Sequence, residues 1–160
     1  MNDNVDVPVA EKRPLPPRPV LPDLAAARRL GPAEFVEVSW QRLLLSWRAM
    51  RDHQLESRPD RPYPPIVPLL EAAYAEPRLR QLHPFTSHHS LNLSSCTEFP
   101  YLVRVPAVDP LPDGRFRVRL ARSAGVLGWA DTAEEAVALV AAHIPPGLGP
   151  AVTRAEDVSG

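Results

Sequence analysis

The sequence predicts an α+β domain, with helices on the N-terminal side, about four antiparallel strands, and a C-terminal helix packed on the sheet. Three stretches carry that prediction. Arg115 to Leu120 alternates strictly, Phe116, Val118 and Leu120 on one side and Arg115, Arg117 and Arg119 on the other. That two-residue period marks a half-buried strand. Asp131-Thr132-Ala133-Glu134 then supplies an acidic N-cap with a glutamate three residues on. Behind it Ala133, Ala136, Val137, Val140, Ala141 and Ile144 share one helical face, until Pro145-Pro146 stops the helix. The third stretch is a broad apolar stripe of Val36, Trp40, Leu43, Leu44, Trp47 and Met50, predicting a long helix over about 33–55.

Taken in order, residues 1–22 hold six prolines and little to bury, and read as a disordered or polyproline-like tail. Asp23 caps a short helix through Leu24, Ala27 and Leu30 that Gly31 ends, and Pro32 sits where a helix-opening proline belongs. Residues 58–65 form a stiff proline linker, after which Pro68 and Pro77 each open a short helix, the second ended by Pro84. From Ser87 the period becomes two. One strand is expected to carry His88, Ser90, Asn92, Ser94 and Cys96 on one face and His89, Leu91, Leu93 and Ser95 on the other. Tyr101 to Val105 reads as the next strand, residues 107–114 as a loop with a Pro-Asp-Gly turn, and Val126, Leu127 and Trp129 as a small strand. The single α+β domain is expected over 23–146, with 147–160 a loose C-terminal tail.

Composition narrows the function classes. The 44% apolar and 23% charged fractions are those of an ordinary globular protein. A net charge of −1 argues against a nucleic-acid partner. All but one of the 18 basic residues are arginine, Lys12 being the exception, which suggests a GC-rich bacterial genome. Cys96 stands alone, so an internal disulfide is excluded and a thiolate-rich zinc site is too. No signal-peptide pattern follows Met1, and no apolar run approaches the ~20 residues a bilayer needs. The expectation is a cytoplasmic protein with no membrane partner.

Two constellations offer chemistry. The stretch from His83 to Glu98 concentrates three histidines, the thiol and an acid. It admits Cys96 as nucleophile with His88 as base, a metal held by His83, His88 or His89, Glu98 and Cys96, or acid–base work by His88, His89 or Glu98. In a straight strand His88 and Cys96 would lie about 26 Å apart, and adjacent histidines would face opposite ways, which opposes a shared metal ion. No cofactor or metal is called for. The second constellation is the arginine row: Arg117 and Arg104 beside Ser90, Asn92 and Ser94 would pair forked cationic donors with hydroxyls and an amide, suited to a carboxylate or phosphate. A solvated open sheet face has the same make-up.

The segments EAAYAEPRLRQLHPF, SSCTEFPY and ADTAEEAVALVAAHIPPGLGPAV resemble an uncharacterised family of small actinobacterial proteins assigned to natural-product biosynthesis by gene neighbourhood, over residues 71–152. That resemblance implies no mechanism. Locally, Asp131 to Ala136 is similar to the helix start of antitoxin-like β-β-β-α modules, although the proline-aspartate-leucine loop of those modules is absent. The resulting expectation is an accessory or tailoring protein that binds a small anionic or peptidic intermediate on the sheet face or against the long helix. The alternative is a non-catalytic interaction module holding a partner protein, or a second copy of itself as a homodimer. A concave pocket lined by Ser90, Asn92, Arg104 and Arg117 would favour the first, and a flat apolar helix face the second.

Overall fold

A computed structural model describes Pro14, residues 16–121 and residues 125–159. Most of the proline tail expected over 1–22 therefore lies outside the described residues. Among these residues five α-helices and five strands follow in the order α1 (Leu24–Leu30), α2 (Pro32–Ser57), α3 (Ile66–Ala75), α4 (Pro77–Arg80), β1 (His83–Ser87), β2 (Ser90–Ser94), β3 (Ala107–Pro110), β4 (Phe116–Arg119), β5 (Val126–Ala130) and α5 (Ala133–Ala141), with a 3-10 turn at Ala155–Asp157. The strands form one antiparallel meander, β1-β2-β3-β4-β5, so the architecture is the α+β class with five strands rather than four.

Local chemistry explains the helices. Asp23 Oδ1 accepts from the amides of Ala25 (2.9 Å) and Ala26 (3.3 Å), satisfying donors that have no partner inside α1. Gly31 takes φ 115°, a conformation glycine adopts without strain, and turns the chain into α2 at Pro32. The cap of α5 sits one residue later than the sequence suggests. Thr132 accepts from the Glu135 amide (3.1 Å), and Glu135 reaches back to the Asp131 amide (3.1 Å). The apolar face of α5 is as expected, with Ala133, Ala136, Val137, Val140 and Ala141 buried.

One sheet face meets the helices. Paired registers place Leu91, Val108 and Val118 side by side, and Phe116 joins them, all buried beneath α3 and α5. The long α2 packs on β1 and lies against α3. Trp40 is wholly buried, and its indole N–H donates to the carbonyls of Arg80 (2.9 Å) and Leu82 (3.2 Å). The tryptophan thereby buries its large ring without orphaning its polar end, a contribution of about 4–6 kcal/mol in area terms. Among the described residues no helix is long and apolar enough to cross a membrane.

Three expectations about the strands are corrected. The strand expected over Ser87–Cys96 is a hairpin, His83 to Ser94, reversing at His88-His89. The strand expected over Tyr101–Val105 is reduced to one bridge, Val103 to Ser94. The expected loop after Pro106 instead supplies β3. Between the bridge and the Leu91–Val108 pair the register slips by two residues, so Arg104 to Pro106 bulge out of one interrupted strand. Beyond α5 the chain is hydrogen-bonded rather than loose. Ala151 donates to Gln81 (3.0 Å), Val152 bridges Cys96 in parallel, and the amides of Thr97 and Glu98 donate back to Val152 and Thr153 (2.9 Å each).

Candidate functional site

On the sheet face away from the core, the arginine row is already engaged. Asp109 pairs with Arg117 across β3 and β4, and it is 6% exposed. Its Oδ2 accepts from Arg117 Nε (2.9 Å) and Arg119 Nε (2.7 Å), while Oδ1 accepts from Arg119 Nη2 (3.0 Å) and the Ser90 hydroxyl. Burial opposes ionisation of this carboxyl, but the hydrogen bonds from Arg119, Ser90 and Arg117 outweigh it and hold Asp109 below the usual carboxylate range. The anion for this face is therefore supplied by the chain itself. Asn92 donates to the Ser90 carbonyl (3.4 Å), and Ser94 is buried in a local turn with Cys96, donating to its carbonyl (2.7 Å). Arg104 sits in the bulged crossing before β3, with no side-chain ion pair or hydrogen bond among the described residues. Of the expected set, Ser90, Asn92, Ser94, Arg104 and Arg117, none lines any of the four main clefts among the described residues.

The His83–Glu98 stretch is dispersed in the same way. His88 and Cys96 lie past opposite ends of β2. Cys96 is completely buried, with Sγ 3.4 Å from the Glu98 carbonyl and 3.5 Å from that of Pro100, partners no nucleophile would choose. Glu98 faces the other way and pairs with Arg154 (3.5 Å) and Arg28 (4.0 Å). Among the described residues no three His, Cys, Asp or Glu side chains are placed to hold a metal ion.

What the structure does bring together is a cleft of about 740 Å³ between α2, the hairpin turn and the segment Pro16–Leu21. Its apolar walls are Trp47, Met50, Tyr63 and the proline segment, and its polar groups are His53, His88, His89 and Arg18. The His89 ring is held between Trp47 (centroids 5.2 Å) and the edge of Tyr63 (6.1 Å). The Tyr63 hydroxyl is buried with no hydrogen-bond partner, and burial raises its pKa against the opposing charge of Arg51. At the cleft mouth His88 takes φ 55°, a left-handed conformation that costs a non-glycine residue about 1–2 kcal/mol. His88→Gly is expected to raise unfolding free energy by about 0.5–1 kcal/mol. Denaturant melts showing a loss instead would mean that the imidazole makes up the backbone cost through its contacts.

A family model matches residues 34–155, from the first turn of α2 into the segment beyond α5. The chain belongs to DUF6193, a family of unknown function. No curated protein and no solved structure matches it.

Within this DUF6193 chain, sequence reading found His88 and His89 but not their companions. Trp47 and Met50 were assigned to the core stripe, yet Met50 is 47% exposed at the cleft. The available signal was the width of that stripe, broader than one buried face requires. Tyr63 lay inside a proline linker and carried no pattern. Asp109 stood in an expected loop, although two acids, Asp109 and Asp113, ahead of three arginines were visible in the charges.

Proposed function

We propose that this DUF6193 protein is a non-catalytic binding protein for a small molecule with an apolar body and an anionic or peptidic end, seated in the cleft beside Trp47 and His89. The supporting observation is the convergence of three imidazoles and a guanidinium on a cleft whose other walls are aromatic, aliphatic and proline. Its volume is in the range of ligand sites of about 300–1,000 Å³. The sheet face, with its arginines neutralised by Asp109, supports the reading less. The biological setting we propose is the cytoplasm of an actinobacterium, as an accessory protein of natural-product biosynthesis, in keeping with the arginine-rich, lysine-poor composition and the resemblance of residues 71–152.

The test is a fluorescence titration with N-acyl amino acids and short peptides, Trp47 serving as reporter. Binding is expected to quench emission, to weaken about 10-fold or more in His89→Ala, and to persist in Arg115→Ala at the far end of the sheet. A panel that leaves the emission unchanged, or equal affinities for the parent and His89→Ala, would remove the proposal. Concentration-dependent sedimentation would then favour the second reading, an interaction module. Its support is the free edge of β5, where Val126 is 46% and Trp129 50% exposed and no charge or proline interrupts Val126–Ala130.

A further inference from the structure

The cleft beside Trp47 already has a neighbour of defined chemistry, the chain's own proline segment. Pro16, Pro17, Arg18, Pro19 and Leu21 form one side of it, and Trp47, Tyr63 and His89 stand among its other walls. Burial along the segment follows a pattern: Pro16, Pro19 and Pro22 are half-buried, with Leu21, whereas Pro17, Arg18 and Val20 are exposed. Prolines meeting a surface at every third residue match the three residues per turn of a polyproline II helix. Pro16, Pro17 and Pro19 have no N–H to donate. Among the described residues the Pro22 carbonyl is the one hydrogen-bonded group from Pro16 to Pro22, accepting from Arg42 (2.7 Å). The segment is thus tied at its foot and rests above it by apolar contact alone. Aromatic grooves take proline-rich peptides in this way, ring faces against a stiff chain that loses little entropy on docking.

We propose that the Trp47–His89 cleft is a polyproline-recognition groove, and that Pro16–Pro22 is its tethered occupant, guarding the aromatic walls until a ligand for the cleft displaces it. The inference rests on the reading of this cleft as a binding site and adds what that ligand must compete with. A short tether holds the segment at an effective concentration of about millimolar, so a weak contact is enough to keep it seated. The tie lies next to Asp23, whose carboxylate caps α1, so the strap swings from a fixed helix start. Its lifting breaks no hydrogen bond above Pro22.

The test uses the full-length chain carrying both Pro16→Ser and Pro19→Ser, which removes the two half-buried prolines above the tie and keeps the α1 cap. The probes are the peptide PPRPVLP, the sequence of residues 16–22, and its counterpart SPRSVLP, each followed through the Trp47 indole and His89 ring resonances. PPRPVLP is expected to shift both resonances in the double variant, and to bind it about 10-fold or more tighter than the parent, where the strap competes. SPRSVLP should be about 10-fold weaker or more than PPRPVLP. Equal affinity of PPRPVLP for variant and parent, equal affinity of the two peptides, or no shift up to millimolar peptide would overturn the inference. The two readings of the cleft fail separately. N-acyl amino acids that bind the parent and the double variant equally well would sink the strap alone, and peptide capture beside a silent N-acyl amino acid panel would sink the small-molecule reading alone.

Discussion

Replacing Asp109 by alanine is expected to lower unfolding free energy by about 2–4 kcal/mol, because it strands two guanidiniums side by side on β4 with no counter-charge. Breaking a buried ion pair by removing one partner costs about 3–5 kcal/mol. The figure here is reduced because Arg117 and Arg119 keep 39% and 30% of their side-chain surface in water. Asp109→Asn retains shape and one acceptor, and should lose about half as much. Arg117→Met should be milder than Arg119→Met, since Arg119 contacts both carboxylate oxygens and Arg117 only one. Denaturant midpoints of the four variants would check the ranking. An Asp109→Ala loss under about 1 kcal/mol would mean that solvent already screens the cluster.

The second large effect is on pH dependence. Burial pushes the His83 imidazole down to about 4 from the ordinary 6.5. In the unfolded chain the ring takes a proton near pH 6.5, whereas in the folded chain it resists until about pH 4. The neutral ring therefore contributes its full share of stability above pH 6.5, and that share is lost as pH falls from 6.5 to 4. A gap of this size corresponds to about 3 kcal/mol. The depressed Asp109 carboxyl acts in the same direction but lower, at and below the usual carboxylate range. Unfolding free energies at pH 7 and pH 4.5 for the parent and His83→Phe separate the two. The variant should lose about 2–3 kcal/mol less over that interval, and parallel pH slopes would refute the assignment to His83.

How much of this was legible depended on periodicity. The β4 alternation and the α5 face could be read residue by residue, because each element buries one face against a large neighbour and repeats at its own period. The hairpin was not legible because its turn, His88-His89, lacks the glycine or asparagine that announces a reversal, and His88 takes the positive φ itself. Nor was β1, since Pro84 reads as a stop. It is admitted because β1 is the sheet edge, where a missing N–H costs no ladder bond. Likewise Pro106 precedes β3 and Pro110 ends it, so that its four residues, Asp109 among them, look like a loop. The cleft was beyond sequence pattern, because it joins α2 to His88 and His89, more than 30 positions away in the chain.

The parallel bridge between Val152 and Cys96 bears on how the chain acquires its shape. Each strand of the meander pairs with the strand next to it in sequence, so the sheet assembles through short closures with low entropic penalty. Joining Val152 to Cys96 instead requires a closure of more than 50 residues, and it becomes favourable only once the helices and sheet between them have drawn those ends near. The clasp therefore belongs to the late side of the folding barrier, where its loss would quicken unfolding while leaving the rate of folding nearly unchanged.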